Sequence, residues 1–216
     1  MIFTSKAFLF DVDGVLVDST PSVARVWRRW ALEHKLDPEA VIAQAHGRRS
    51  IETIRCFAPE LDAEQENRYV ENMEIDDKEG IIPIPGALEL LRQTPADRFA
   101  VITSGTRALA QARLQYAGFP WPKYSVTADD VVHGKPSPEP YLKGAALLGA
   151  AAADCLVFED TPAGIKSARA AGMPVIALST TLSAQELRAA DAVLPSFEGV
   201  SAIVRDGRLQ LIVKQN

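Results

Sequence analysis

From residue 83 onward, short apolar runs rich in β-formers alternate with stretches of helical periodicity, and few folds accommodate that rhythm. The run at 99–103 (FAVIT) reads as a strand, followed by a helical pattern over 107–116 that Gly118 closes. The series continues with a short strand at 124–126, a helix from 138 to about 148, and a strand opened by Cys155 and continued over 156–158. A helix over 162–171, stopped by Gly172, and a strand over 174–178 complete it. Such alternation specifies a parallel sheet with helices on both faces, because each parallel crossover lays a helix against the sheet. Residues 7–10 (AFLF) supply a further strand, apolar at every position and so buried on both faces. The segment 201–213 breaks the rhythm. Alternating apolar and polar residues flank Asp206-Gly207, which predicts a β-hairpin, a small antiparallel ribbon at the sheet edge.

Residues 17–82 follow a different pattern. Thr20-Pro21 predicts an N-cap followed by proline at the first helical position. Val23, Val26, Trp27 and Trp30 then mark one helical face, with Arg25, Arg28 and Arg29 largely off it, and the two tryptophans read as core. Asp37-Pro38 opens a second helix, Ser50 a third, and Asp62 a longer charged one ending near Gly80. The expected architecture is an α/β, Rossmann-like parallel-sheet core formed by residues 1–16 and 83–216, with a C-terminal β-hairpin. An all-helical module, residues 17–82, is inserted after the first strand and returns through 83–86 (PIPG).

Composition narrows the function classes. The 216 residues suffice for one buried core carrying a small insertion. A net charge of −5 argues against a nucleic-acid partner, whose phosphates require clustered Lys and Arg. No apolar run approaches the length of a membrane span, and MIFTSKAFLF lacks the basic start and small-residue cleavage site of a signal peptide. Cys56 and Cys155 are far apart and read as thiols, so a reducing, cytoplasmic setting is expected, with a monomer as the default state. His34 and His133 lack a second nearby ligand and make poor transition-metal sites.

The chemistry concentrates where the strand 7–10 ends. Asp11 and Asp13 follow it at once, with Gly14 behind them, at the carboxyl end of a strand where open α/β sheets place their sites. Two acids so close repel and lose hydration, which suits a nucleophile, an acid/base partner and a metal that offsets their charge. A carboxylate nucleophile points to phosphorus, because the resulting acyl phosphate hydrolyses readily and divides one difficult step into two. Asp13 would protonate the leaving alkoxide and later take a proton from water. Mg²⁺, hard and oxygen-seeking, is the expected ion.

Three further sites sharpen this. Ser104 and Gly105 follow the strand FAVIT and offer a hydroxyl and backbone N–H groups to phosphate oxygens, or form an ordinary Ser-Gly turn. Lys135 sits among prolines and a glycine in HGKPSPEPY, where the alternative is a solvated lysine. Glu159 and Asp160 end a strand just before a helix, supplying one direct metal ligand and one through water, or simply an acidic helix N-terminus. All four sites fall at predicted carboxyl ends of strands in one sheet, and their convergence selects phosphoryl transfer.

DVDGVLVDST, VITSGT, GKPSPEPYLKG and VFEDTPAGI resemble the four ordered motifs of the haloacid dehalogenase (HAD) superfamily, and the resemblance covers essentially the whole chain. Within it the wording is similar to the small sugar and polyol phosphatases. The resemblance implies Asp11 as nucleophile and magnesium ligand, and Asp13 as general acid/base lending its backbone carbonyl to the metal. It implies Ser104, Gly105 and Lys135 around the phosphoryl group, and Asp160 as a magnesium ligand with Glu159 beside it. In relatives with this cap, the helical module closes over the site and reads the leaving group. Here His46, Gly47 and Arg49 match the cap loop, and Glu74 matches an acidic position on the long cap helix. Arg49 and Glu74 have solvated alternatives, and His46 one of shaping the loop.

The expected activity is magnesium-dependent hydrolysis of a small phosphorylated metabolite: a sugar, hexitol or glycerol phosphate. A phosphomutase of the β-phosphoglucomutase kind is the nearest alternative. That mutase carries a histidine in the first cap helix where this chain has Val23, and its cap is more basic where Glu74 falls. A phosphosugar-binding module without turnover is a third class, opposed by the intact Asp11 and Asp13.

Overall fold

The computed structural model describes residues 1–214. Its strands are β1 (Ile2–Ser5), β2 (Ala7–Phe10), β3 (Val17–Asp18), β4 (Ile82–Pro83), β5 (Phe99–Ile102), β6 (Ser125–Val126), β7 (Cys155–Glu159), β8 (Val175–Leu178), β9 (Ala192–Leu194), β10 (Val200–Arg205) and β11 (Arg208–Val213). Its α-helices are α1 (Thr20–Glu33), α2 (Pro38–Ala45), α3 (Ser50–Phe57), α4 (Ala63–Asp76), α5 (Ala87–Gln93), α6 (Arg107–Tyr116), α7 (Glu139–Leu147) and α8 (Pro162–Ala170). No helix among the described residues is long and apolar enough to cross a membrane.

Six strands form one parallel sheet in the order β6-β5-β2-β7-β8-β9. Alternate residues of each central strand enter different layers, as the two-residue period of a strand requires. Phe8, Phe10, Phe99, Val101, Leu156 and Phe158 join one apolar cluster with Ala87 and Leu90 of α5 and Leu114 of α6. Leu9, Ala100, Ile102, Cys155 and Val157 join the other, with Tyr141 and Ala145 of α7 and Ile165 and Ala168 of α8. Phe10 stacks on Phe158 at 4.6 Å, and Phe197 meets both rings edge-on. This two-layer burial makes the strands apolar throughout.

The strand order fixes the site. The first parallel strand, β2, lies between β5 and β7, so chain direction across the sheet reverses there. In open α/β sheets a ligand-binding crevice forms outside the carboxyl ends of the strands at such a switch point. Asp11, Ser104 and Glu159 therefore leave neighbouring strands on one side of the sheet.

Residues 17–83 open and close on a two-stranded pairing of β3 with β4, Val17 opposite Pro83 and Asp18 opposite Ile82. Between them α1–α4 bury their own cluster of Val23, Val26, Trp27, Trp30, Val41, Ile54 and Val70. Trp27 and Trp30 meet edge-on at 5.5 Å, and Trp30 Nε1 donates to Glu66 at 2.8 Å. The tryptophans are core, as their spacing predicts.

Several details differ from expectation. The hairpin β10–β11 does not extend the main sheet. β11 pairs with β1, completing a separate three-stranded antiparallel sheet whose Val200, Ala202, Leu209 and Leu211 pack with the α5 layer. A strand at Ile2–Ser5 is invisible locally because its partner lies at the opposite end of the chain. Helix α1 takes Ser19 rather than Thr20 as its N-cap residue, and α4 stops at Asp76 rather than near Gly80. The short strands β3 and β4 and the edge strand β9 also lie outside the sequence reading.

Candidate active site

Asp11 is the first residue past β2 and is buried. Its N–H donates to the Phe158 carbonyl at 3.0 Å, tying the loop to the neighbouring strand β7. The Lys135 ammonium donates to Asp11 Oδ1 at 2.8 Å and to the Ile102 carbonyl at 3.2 Å, and lies 2.6 Å from Glu159 Oε1. One lysine thus links the ends of β2, β5 and β7. Burial pushes the Asp11 carboxyl up to about 7 against the pull of Lys135, and Glu159 and Asp13 add to the rise. Burial lowers the Lys135 pKa, but Asp11 and Glu159 outweigh it, leaving the ammonium well above its ordinary range and charged. Asp11 Oδ2 has no hydrogen-bond donor among the described residues, and Asp11 lines the cavity between the sheet and the helical module.

Asp13 is held on both oxygens. Ser19 Oγ donates to Oδ1 at 2.6 Å and Arg113 to Oδ2 at 2.7 Å. Ser104 and Gly105 also line the cavity. Ser104 Oγ donates to the Gly47 carbonyl at 3.2 Å, so the hydroxyl expected on a phosphoryl oxygen meets the helical module. The Gly105 N–H donates to Thr103 Oγ1 at 3.1 Å, a bond that a phosphoryl oxygen would have to replace.

Glu159 and Asp160 divide their tasks. Glu159 Oε1 accepts from Tyr141 at 2.7 Å and meets Lys135; Oε2 accepts from the Asp160 and Thr161 N–H groups and from Thr161 Oγ1. Both oxygens are occupied by protein donors, which suits holding Lys135 better than direct metal ligation. Gly164 makes room for this carboxylate, since a Cβ there would lie 1.8 Å from it. Asp160 is different. Thr181 Oγ1 donates to its Oδ2 at 2.5 Å, but Oδ1 is buried without a partner. Burial, then Glu159 and Asp11, raise its pKa. Gly14 has φ +72°, and a Cβ there would sit 2.0 Å from Asp160 Oδ2, so only glycine lets the loop after Asp13 pass.

Carboxylate oxygens of Asp11, Glu159 and Asp160 lie within 4.8 Å of one another. An all-oxygen set of buried acids with an orphaned Asp160 Oδ1 fits a hard divalent cation. Burying such an oxygen unpaired would otherwise carry the full desolvation penalty.

The helical module contributes unevenly. His46 and Gly47 line the cavity, and burial lowers the His46 pKa, with Asp13 opposing the shift. Arg49 does not line it: Nε donates to Glu52 at 3.0 Å and Nη1 to the Val132 carbonyl at 3.4 Å, while Arg48 takes the cavity position. Glu74 lines the cavity and is buried, not solvated. It meets Arg113 Nη2 at 3.1 Å. Burial pushes its carboxyl up to about 7, although Arg113 pulls down.

Arg113, Ser19, Thr181 and Tyr141 are absent from the sequence reading. Arg113 carried a usable signal. Leu109, Ala110 and Leu114 form the buried face of α6, and an arginine at 113 falls on that same face.

Residues 5–172 match the family of haloacid dehalogenase-like hydrolases. Hexitol phosphatase A of Escherichia coli K12 is 44% identical over 201 residues, covering 91% of this chain and 93% of that protein. Glycerol-1-phosphate phosphohydrolase 2 of Saccharomyces cerevisiae is 38% identical over 209 residues, covering 90% and 84%. A solved hydrolase from Pseudomonas syringae matches the fold with a TM-score of 0.78 at 27% identity, covering 87% of this chain and 92% of that one. Motif order, sheet topology and a family match over residues 5–172 agree, and the chain belongs to the haloacid dehalogenase-like hydrolases.

Proposed function

We propose that this chain is a magnesium-dependent phosphatase that hydrolyses a small phosphorylated sugar or polyol through an aspartyl-phosphate intermediate. The carrying observation is the contrast between two aspartates. Asp11 is buried against Lys135 with Oδ2 lacking a donor, whereas Asp13 is held by Ser19 and Arg113 one residue further on. Asp11 Oδ2 attacks phosphorus while the bond from phosphorus to the leaving oxygen breaks and Asp13 gives that oxygen a proton. Water then attacks phosphorus and gives a proton to Asp13. The bond to Asp11 breaks, phosphate leaves and the carboxylate is restored. Lys135 offsets charge on Asp11 and the phosphoryl group throughout, and the Ser104 hydroxyl and Gly105 N–H, which line the same cavity, are neutral donors for it. Asp11, Asp160 and the Asp13 carbonyl would hold Mg²⁺, with Glu159 behind them. When bound, the ion offsets the carboxylate charge that would repel a dianionic phosphate.

Residues 17–82 act in this reading as a cap. Their separate apolar cluster and the paired entry and exit strands support it. His46, Gly47 and Glu74 present polar groups to the leaving group, and Arg48 replaces Arg49 as the cationic candidate. The relatives at 44% and 38% identity, by name a hexitol phosphatase and a glycerol-1-phosphate phosphohydrolase, support a polyhydroxylated substrate. Val23 lines the cavity with a side chain that can neither donate nor accept a proton, which disfavours the mutase alternative.

A phosphate-release screen over hexose, hexitol and glycerol phosphates tests the reading, comparing kcat/KM values. Stoichiometric inorganic phosphate and loss of turnover in Asp11→Asn are expected. A phosphate-retaining isomer as product, or an active Asp11→Asn, would overturn it.

A further inference from the structure

Arg113 joins two parts of the molecule at the point where the chemistry is expected. It leaves helix α6 of the sheet-bearing core and is buried. Nη1 donates to Asp13 Oδ2 at 2.7 Å, and Nη2 donates to Glu74 Oε1 of the inserted helix α4 at 3.1 Å. The third guanidinium nitrogen, Nε, is buried without a partner among the described residues. Among the described residues the side chain is therefore hydrogen-bonded to two carboxylates, one beside the nucleophile and one in the insertion. A second contact ties the same helices: Tyr116 of α6 donates to the Ile75 carbonyl of α4 at 3.0 Å.

We propose that Arg113 is a positioning residue that sets the orientation of the Asp13 carboxyl according to how helix α4 is seated. The guanidinium is a rigid planar fork, so a displacement of Glu74 is transmitted to Asp13 rather than absorbed. Ser19, at the entry to the inserted segment, holds the other Asp13 oxygen at 2.6 Å. Both fixings of Asp13 thus involve the insertion. Two carboxylates facing one cation also explain why an acid on the charged helix α4 is buried at all: Glu74 holds the arginine that holds Asp13.

The inference rests on Asp13 acting as proton donor, and leaving-group dependence tests it. A polyol phosphate expels a poor alkoxide and needs that proton, whereas p-nitrophenyl phosphate expels a good leaving group and needs it little. Arg113→Met should lower kcat for glycerol 1-phosphate or sorbitol 6-phosphate by about tenfold or more, and kcat for p-nitrophenyl phosphate by less than about threefold. Glu74→Gln should shift the ratio in the same direction, and the double variant should do no worse than Arg113→Met alone. Arg113→Lys retains the charge but not the two-armed grip, and the same selective loss is expected even where the methionine variant folds poorly. Equal losses on both esters, or an unchanged ratio in Arg113→Lys and Glu74→Gln, would overturn the proposal. A wild-type protein that releases no phosphate from either ester overturns the hydrolytic reading and the proposal with it. An active wild type with unselective variants overturns the proposal alone.

Discussion

The Lys135 ammonium stands 2.8 Å from Asp11 Oδ1 although 124 positions separate the two residues, and both side chains are buried. The same nitrogen lies 2.6 Å from Glu159 Oε1, so one buried cation bridges two buried carboxyl groups. Lys135→Met should therefore act twice. Breaking a buried ion pair costs about 3–5 kcal/mol, read as a lowered Tm. Loss of a preorganised charge at the phosphoryl group should lower kcat by roughly 10²–10³. A variant with near-normal kcat would show that the ammonium only stabilises the fold.

Stability and metal affinity should vary with pH in opposite senses. The folded Asp11 carboxyl is pushed from 3.8 up to about 7, chiefly by burial, and Asp160 is raised by the same cause. A raised folded pKa means that the metal-free protein binds more protons than the unfolded chain between about pH 4 and 7. This contribution to stability is present below that window and lost as pH rises through it. Glu74, also raised to about 7 by burial, contributes with the same sign. Divalent ions need the ionised acids, so their affinity strengthens over the same range. Calorimetry with EDTA and with Mg²⁺ should show a larger Mg²⁺-induced gain in Tm at pH 7.5 than at pH 5.5. Equal gains at both would sink the argument.

Gly164→Ala should disturb the site without altering a polar atom. The added Cβ would lie 1.8 Å from the Glu159 carboxylate, which must then move and loosen its hold on Lys135. Overpacking of this kind costs about 1–3 kcal/mol. A fall in kcat beyond that expected from the unfolded fraction is the expected result. Unchanged kcat at a lowered Tm would mean that Lys135 does not depend on Glu159.

The residues legible in the sequence share one property: they stand directly after runs whose apolar character announces a buried strand. Asp11, Ser104 and Glu159 could be placed on one side of the sheet because strand ends are local and parallel topology does the rest. Lys135 was legible only through its motif. Glu74 was legible only as a matching acidic position with a solvated alternative, and Arg113 only as an arginine on the apolar face of α6. Their burial arises where α4 and α6 meet, 39 positions apart, and a charged helix looks solvated until its neighbour is known. The strand Ile2–Ser5 escaped for the same reason, its pairing partners lying at Leu209 to Ile212. Arg49 shows the converse: a matching motif position says nothing of rotamer, and Glu52 and the Val132 carbonyl hold that side chain outside the cavity.

The proposed cap should unfold as its own unit. Trp30 is buried in the cluster that holds Val26, Trp27 and Val41, and its indole N–H donates to Glu66, which also meets His34 at 3.1 Å. Trp30→Ala removes the ring from this cluster and leaves Glu66 short of a donor, a loss of about 3–5 kcal/mol for a buried tryptophan. Among the described residues Trp30 belongs to neither apolar layer of the sheet, whose central strands are β2, β5, β7 and β8. Amide exchange should therefore speed up across α1–α4 while the amides of β2, β5 and β7 keep their protection. The β3–β4 pairing sets the boundary, since it is the ribbon through which the insertion joins the core. Protection lost equally in the sheet would show that the insertion and the core open as one cooperative unit.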